Sequence, residues 1–363
     1  MSKHPTPKPG IMAIAPYVGG KSKVEGISRV IKLSSNENPW GPSPKAIAAF
    51  AAQAANLHRY PDGAHAALRE AIARTHNLPE NELICGCGSD ELLGLTVHAF
   101  AGPGDEVLFS EHGFLMYRIY TQSNGATPVT APERDLTTDV DALLAAVTPR
   151  TKILFLANPN NPTGTVLPFS EIRRLRAGLR EDIILGLDAA YAEYLTRPDY
   201  EAGHALVSEG TNTIVFHTFS KIYGLPALRL GFAHAPAHII DVLNRVRSPF
   251  NVNSAALAAG IAAVEDTAYL VEMRDRNNAE LARVCAAIRD YGYNTVPSYA
   301  NFVLVHFGDQ ASAVNAHLAS RGLIVREVAN YGLPEFLRIS IGTEEENDLL
   351  IAALGEFAKS HAA

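Results

Sequence analysis

The stretch Thr213-Ile214-Val215-Phe216-His217-Thr218-Phe219-Ser220-Lys221 decides the fold, with Arg229 eight residues past the lysine in Leu228-Arg229-Leu230-Gly231-Phe232. Its first six residues are a β-branched and aromatic run of the kind that makes a buried strand. A lysine just past the end of such a strand loses solvation, so its pKa falls and the amine can serve as a nucleophile or Schiff-base former. Thr218, Ser220 and the Arg229 guanidinium would bind a small dianion beside it, most simply a phosphate. The same residues also suit a surface lysine between two turn hydroxyls, so the rest of the chain has to decide.

Working outward, strands are expected at Leu83–Cys85, Glu106–Phe109, Ala126–Thr130, Lys152–Ala157, Ile183–Asp188, Thr213–Thr218 and Gly231–Ala233. Helical patterns lie between most of them, which predicts an α/β fold: a mainly parallel seven-stranded sheet covered by helices. Past Pro249-Phe250-Asn251 a long helical stretch runs from Ser254 to Tyr291, with a break expected near Asp266. Strands at Phe302–His306, Leu323–Arg326 and Leu337–Ile341 and a closing helix from Glu344 to Lys359 predict a smaller α+β domain. The expected division is an N-terminal arm (1–42), a large domain (43–253), and a connecting helix with a small domain (254–363). The arm is rich in Pro, Gly and Lys and holds no long periodic segment.

The 363 residues suit two or so domains at about 150 residues each. A charged fraction of 19% and a net charge of −7, with signs interspersed, argue against nucleic acid as the main partner. Cys85, Cys87 and Cys285 are too few for a disulfide framework, and no second cysteine pair completes a metal site with Cys85-Gly86-Cys87. The N-terminus lacks the apolar core of a signal peptide and no run approaches about 18 apolar residues. The expectation is a cytoplasmic protein with no metal and no membrane partner.

Three further motifs carry chemistry. Gly86-Cys87-Gly88-Ser89-Asp90 is a glycine turn between strand and helix, where backbone N–H groups and the helix dipole favour an anion. Glu91 stands where a dinucleotide fingerprint needs its third glycine, and Ser89 or Asp90 could equally be a plain N-cap. Gly19-Gly20-Lys21-Ser22 resembles the end of a P-loop, but Ala15 replaces the required glycine and no buried strand leads in. Asn158-Pro159-Asn160-Asn161-Pro162-Thr163-Gly164 would hold Asn161 rigidly at the C-terminal edge of the sheet, where open α/β sheets bind ligands. Asp188 closes an apolar strand with Tyr191 three residues on. A carboxylate there wants a cation or several donors, though capping a helix would also satisfy it. Taken in order, these groups supply what pyridoxal 5′-phosphate needs: a phosphate cup, an acid for the ring nitrogen, donors to the ring oxygen and an amine for the aldehyde.

From Ala15 to Phe357 the chain resembles the fold-type I pyridoxal-phosphate-dependent aminotransferases, and within them the histidinol-phosphate aminotransferase group. The matching residues include Pro16-Tyr17, Leu33-Ser34-Ser35-Asn36-Glu37-Asn38-Pro39, Arg59-Tyr60-Pro61-Asp62, Asn160 to Gly164, Asp188-Ala189-Ala190-Tyr191, Thr218 to Lys221, Arg229, Asn301-Phe302, Arg326 and Leu337-Arg338-Ile339. The resemblance implies that Lys221 carries the cofactor as an internal aldimine. It implies that Asp188 pairs with the pyridine nitrogen, and that Asn161 and Tyr191 bond the ring oxygen. Ser89, Asp90, Thr218, Ser220 and Arg229 would hold the phosphate, and Phe114 would stack on the ring. It also implies a homodimer in which Tyr60 reaches the neighbouring site. Tyr17, Asn36, Asn161, Arg326 and Arg338 would bind substrate.

The activity so implied is reversible amino transfer between L-histidinol phosphate or imidazole-acetol phosphate and glutamate or 2-oxoglutarate, in histidine biosynthesis. Aromatic amino-acid aminotransfer on the same frame is an alternative, as is a pyridoxal-dependent phosphoamino-acid decarboxylase. Two departures from the family pattern are Ala189, where an acidic residue commonly follows the aspartate, and Glu111-His112-Gly113, where prolines are frequent.

Overall fold

The computed structural model describes residues 5–8, 10–16, 19 and 29–361. Its larger sheet has seven strands in the order Leu83–Gly86, Gly231–His234, Thr213–Thr218, Ile184–Asp188, Thr151–Ala157, Glu106–Ser110 and Thr127–Ala131. Neighbouring strands pair in parallel except Gly231–His234, which runs antiparallel to both partners. The central strands Ile184–Asp188 and Thr213–Thr218 are buried at every residue, as strands covered by helices on both faces must be. Alternation does the sorting: Ile214 and Phe216 join Ile84, Ile153 and Phe155 in one apolar cluster, while Val215 joins Leu154, Leu185 and Leu187 in another.

The seven expected strands are all present, shifted by a residue at some ends. One helix start differs. Neither Ser89 nor Asp90 is the N-cap; the helix is Ser89–Phe100, Gly88 caps it at φ 82°, and the Glu91 carboxylate accepts the Cys87 N–H at 2.6 Å. A glycine can take that backbone angle without strain, which frees Ser89 for the first turn.

The C-terminal region builds a four-stranded antiparallel sheet in the order Asn294–Thr295, Phe302–His306, Leu333–Ser340 and Arg326–Val328. The expected strand Leu323–Arg326 divides in two. Leu323–Ile324 pairs in parallel with Ile31–Lys32, and Arg326–Val328 turns away to pair with Leu333–Ser340. Residues 31–33 of the expected arm are therefore part of the fold, with Ile31 and Leu33 packed in the same cluster as Val303, Val305 and Ile339. The long helical stretch does break at Asp266, into Ser254–Glu265 and Thr267–Asp290 bent by 76°. At the break the Asp266 carboxylate accepts from Ser43 Oγ at 2.5 Å and Lys45 Nζ at 2.7 Å, which ties the bend to the start of the helix Pro44–Ala51.

Gly231 opens the antiparallel strand against the turn at Gly88 and Ser89. A Cβ on Gly231 would lie 2.4 Å from the Ser89 amide nitrogen and 2.8 Å from the His217 carbonyl, both backbone atoms that cannot swing aside. Gly231→Ala is expected to destabilise the protein by about 2 kcal/mol, measured as the denaturation midpoint. An unchanged midpoint would show that the two strands can part at no cost.

Candidate active site

Parallel strands end at one edge of their sheet, and there the side chains that follow them converge. Asp188 ends its strand, Thr218 ends the next, Asn161 follows the strand Thr151–Ala157, and Ser89 follows Leu83–Gly86. The reversed strand adds a residue from its start instead. Arg229 lies two positions before Gly231 and so reaches the same edge. One cavity is lined by Ser89, Asp90, Phe114, Asn161, Asp188, Tyr191, Thr218, Ser220, Lys221 and Arg229, all residues the sequence reading named.

At one end of this cavity is an anion cradle. The Arg229 guanidinium donates to Ser220 Oγ at 3.1 Å and to Asp90 Oδ2 at 2.9 Å, and the Ser220 N–H donates to Thr218 Oγ1 at 3.1 Å. Arg229 itself takes a left-handed backbone at φ 51°. Behind the cradle stands the N-terminus of the helix Ser89–Phe100, whose dipole adds positive potential. Glycine suits position 88 because of its φ of 82°, and a Cβ there would also push on the Arg229 guanidinium, 2.4 Å away at Nη2.

At the other end Asp188 is buried. Tyr117 Oη donates to its Oδ2 at 2.8 Å and the Ala190 N–H to its Oδ1 at 3.2 Å. Burial pushes its carboxyl up to about 6, the Asp90 charge adds to this, and the Tyr117 and Ala190 bonds pull the other way. The site therefore suits a cationic partner arriving from the cavity. Tyr117 is the main functional residue that sequence reasoning missed. Nothing in the sequence separates it from an ordinary core tyrosine, although a buried phenol must find a polar partner.

Beside the lysine, Asn36 Nδ2 donates to Tyr191 Oη at 2.9 Å, and Lys221 Nζ lies 5.8 Å from the Tyr191 ring centroid and 3.4 Å from the Ser35 carbonyl. Asn36 has φ 54°, and its N–H donates to Ser340 Oγ at 2.8 Å while Asn301 Nδ2 donates to its carbonyl at 2.9 Å. Ser340 too went unmarked in the sequence. A second cavity shares Asp90, Phe114, Asn161, Tyr191 and Lys221 with the first and adds Arg326, Tyr331 and Arg338. Arg338 donates to Asn161 Oδ1 and, at 2.9 Å, to the Ser34 carbonyl.

Of the residues named from the resemblance, Tyr60 lies apart from both cavities, as a residue meant for a neighbouring site would. Tyr60 is 84% exposed and stacks on Phe250 with ring centroids 4.8 Å apart, at a separate surface hollow. Tyr17 lies outside the described residues.

A buried acid, a strand-end lysine and an anion cradle around one cavity define a class, and the sequence matches the family described as aminotransferase class I and II over residues 28–354. The chain belongs to that family. Within it, the histidinol-phosphate aminotransferase of Paramagnetospirillum magneticum is 57% identical over 97% of this chain and 98% of its own length. That of Rhodospirillum rubrum is 54% identical over 97% of both. The crystal structure of histidinol-phosphate aminotransferase from Sinorhizobium meliloti in complex with pyridoxal 5′-phosphate superposes with a TM-score of 0.90 at 31% identity, covering 99% of this chain and 98% of that one.

The position of Asp188 sets a pH dependence. Its folded-state pKa of about 6 lies above the ordinary aspartate value of 3.8, so its contribution to stability is present below the lower value and is lost as pH rises through the higher. In cofactor-free protein, native should lose on the order of 3 kcal/mol relative to Asp188→Asn between these limits, followed by denaturant unfolding across pH. A flat difference would mean that the carboxylate is solvated.

Proposed function

We propose that this protein transfers an amino group reversibly between L-histidinol phosphate and 2-oxoglutarate, or between L-glutamate and imidazole-acetol phosphate, with pyridoxal 5′-phosphate bound in the first cavity. The observation that carries the reading is the junction of two cavities at Lys221, one with an anion cradle and a buried acid, the other with two arginines. The first fits the cofactor. The cradle at Thr218, Ser220 and Arg229 with the helix N-terminus suits its phosphate, and Asp188 suits its protonated ring nitrogen. Asn161 and Tyr191 suit its phenolic oxygen, and Phe114 lies along the wall. When bound, this cofactor supplies a carbonyl that takes up the amino group and a ring that withdraws electrons.

The protein's part is orientation and proton transfer. Asp188, held by Tyr117, keeps a positive charge on the ring nitrogen side of the cavity. The Lys221 amine removes and returns the proton at the substrate carbon, acting as base and then acid. Arg338 sets the face for a carboxylate by a bidentate pair, and Arg326 serves the phosphate of the larger substrate. One pocket can thus accept glutamate and a phosphorylated imidazole in turn.

The same reading includes a division into an arm at 1–42, a cofactor-binding domain at 43–253 and a connecting helix with a small domain at 254–363. Separate apolar clusters in the two sheets support the two domains, with Ile31 and Leu33 of the arm packed into the C-terminal one. It also includes a homodimer in which Tyr60 reaches the partner's cradle, supported by the exposure of Phe50, Leu57, Tyr60 and Phe250. A cytoplasmic location is supported by three cysteines that are all free. Among the described residues, no single helix is long and apolar enough to cross a membrane.

Purified holoprotein assayed with 2-oxoglutarate should prefer histidinol phosphate over phenylalanine and tyrosine by at least about tenfold in kcat/KM. A preference for the aromatic amino acids would replace this assignment with the aromatic one. Lys221→Ala should abolish turnover and change the visible absorption of the bound cofactor; an unaltered spectrum would remove Lys221 from its role. Arg326→Ala should lower kcat/KM for histidinol phosphate by about tenfold to a hundredfold and that for glutamate much less. Equal losses would mean that both substrates lean on Arg326.

A further inference from the structure

Behind the site runs a line of five titratable side chains that the mechanism does not use. His217 Nδ1 lies 2.9 Å from Glu193 Oε1, and His217 Nε2 lies 3.2 Å from His204 Nε2. His204 Nδ1 lies 3.0 Å from His234 Nδ1, and His234 Nε2 lies 3.2 Å from Glu82 Oε2. The line begins at Glu193, two residues past Tyr191, and passes through the strand that ends at Thr218. It comes out at Glu82, whose side chain is 24% exposed, whereas those of Glu193 and His217 are 8% and 3% exposed. No three of its members converge as metal ligands would among the described residues.

Counting protons fixes its charge. Each of the four contacts needs one hydrogen between its two heavy atoms, and three neutral imidazoles supply three. With both carboxylates ionised, the line closes only if it carries one proton more, which makes one of the three rings an imidazolium. His204 is the worst place for it, since burial first and then the neighbouring His217 and His234 push its pKa down to about 2. His217 and His234 are the two rings that face a carboxylate, at Glu193 and Glu82, although burial also pushes His234 down against the pull of its bond to Glu82.

We propose that Glu193 and His217 are positioning residues for the reaction: their contact, stabilised by the extra proton held in the histidine line, fastens the turn bearing Tyr191 to the strand leading to Lys221. This rests on the functional reading above for what Tyr191 and Lys221 do. The second oxygen, Glu193 Oε2, is buried with no partner, so the carboxylate depends on His217 and on the shared proton as its counter-charge. The other titratable groups facing Glu193 and His217 are His76, Tyr194, Tyr200, Tyr223 and Asp188. None of the first four supplies a positive charge. Burial pushes His76 down to about 4 and the three tyrosines well up, so all stay neutral near pH 7.

Glu193→Gln separates the contact from the charge. Its amide can donate to a bare His217 Nδ1, which closes all four contacts with three protons and no imidazolium. Histidine-selective ¹⁵N NMR of the holoenzyme at pH 8 should show one buried imidazolium in the native protein and none in Glu193→Gln. As pH rises and the native line loses its proton, kcat should fall about tenfold per pH unit with KM for histidinol phosphate little changed. Glu193→Gln should retain the native kcat near pH 7 and lack that alkaline limb, while Glu193→Ala loses about tenfold to a hundredfold in kcat. The proposal is overturned by a native protein without the imidazolium, by a shared alkaline limb in native and Glu193→Gln, or by native kcat in Glu193→Ala. Should Glu193→Ala not fold, the first two comparisons decide. Absence of transamination in the native protein would sink the functional reading alone, because the NMR experiment needs no substrate.

Discussion

A carboxylate at the end of a fully buried strand is the constraint around which this site is arranged. Asp188 is buried, opening only onto the cavity, and its bonds from Tyr117 and Ala190 only partly offset the cost of burying charge. A protein whose purpose was only to fold would place an apolar residue there. Keeping an acid commits the surrounding sequence to a polar cavity with a cationic occupant, and the rest of the edge is built to that need. Tyr117 is stacked on Phe155 at a centroid distance of 4.9 Å, so the hydroxyl that orients Asp188 is locked by core packing.

The anion cradle depends on a topological detail. Six strands of the larger sheet share one direction and one opposes them. Had Gly231–His234 run with the others, the chain leaving Lys221 would have had to cross the sheet before starting it, and Arg229 would have emerged at the far edge. Because it is reversed, the short connection from Ser220 to Arg229 stays at the ligand edge and brings hydroxyl and guanidinium within hydrogen-bond reach. Gly231 and Gly88 permit the close approach of the two turns.

The larger sheet was legible because its strands, the edge strand Thr127–Ala131 excepted, are almost wholly buried and read as apolar runs, and because several are followed by turns rich in Gly, Pro or hydroxyl residues. The polar residues of the first cavity were legible for a related reason: polar side chains close after such runs have few structural uses, whereas Phe114 was named only through the resemblance. What escaped was what depends on partners far away in sequence. Tyr117 meets Asp188 across 71 residues and Asn36 meets Ser340 across 304, and no local pattern encodes either contact. The split of the strand expected at Leu323–Arg326 has the same origin, since the pairing of Leu323–Ile324 is decided by residues 31–32 at the other end of the chain.

Those distant partners give the segment 31–38 its importance. Ile31 and Leu33 are buried in the core of the C-terminal region, while Asn38 Nδ2 donates to the Ile222 carbonyl at 2.8 Å, next to Lys221. Between these anchors, Asn36 touches Tyr191 and the Ser34 carbonyl receives Arg338. One short extended stretch thereby links the sheet that carries the anion cradle to the sheet that carries the two arginines. A shift of either sheet must pass through backbone that lies against the lysine. The coupling of the two cavities is thus a property of the chain's path, and it explains why residues with so little regular structure of their own hold so many buried polar groups, among them Ser34, Asn36 and Asn38.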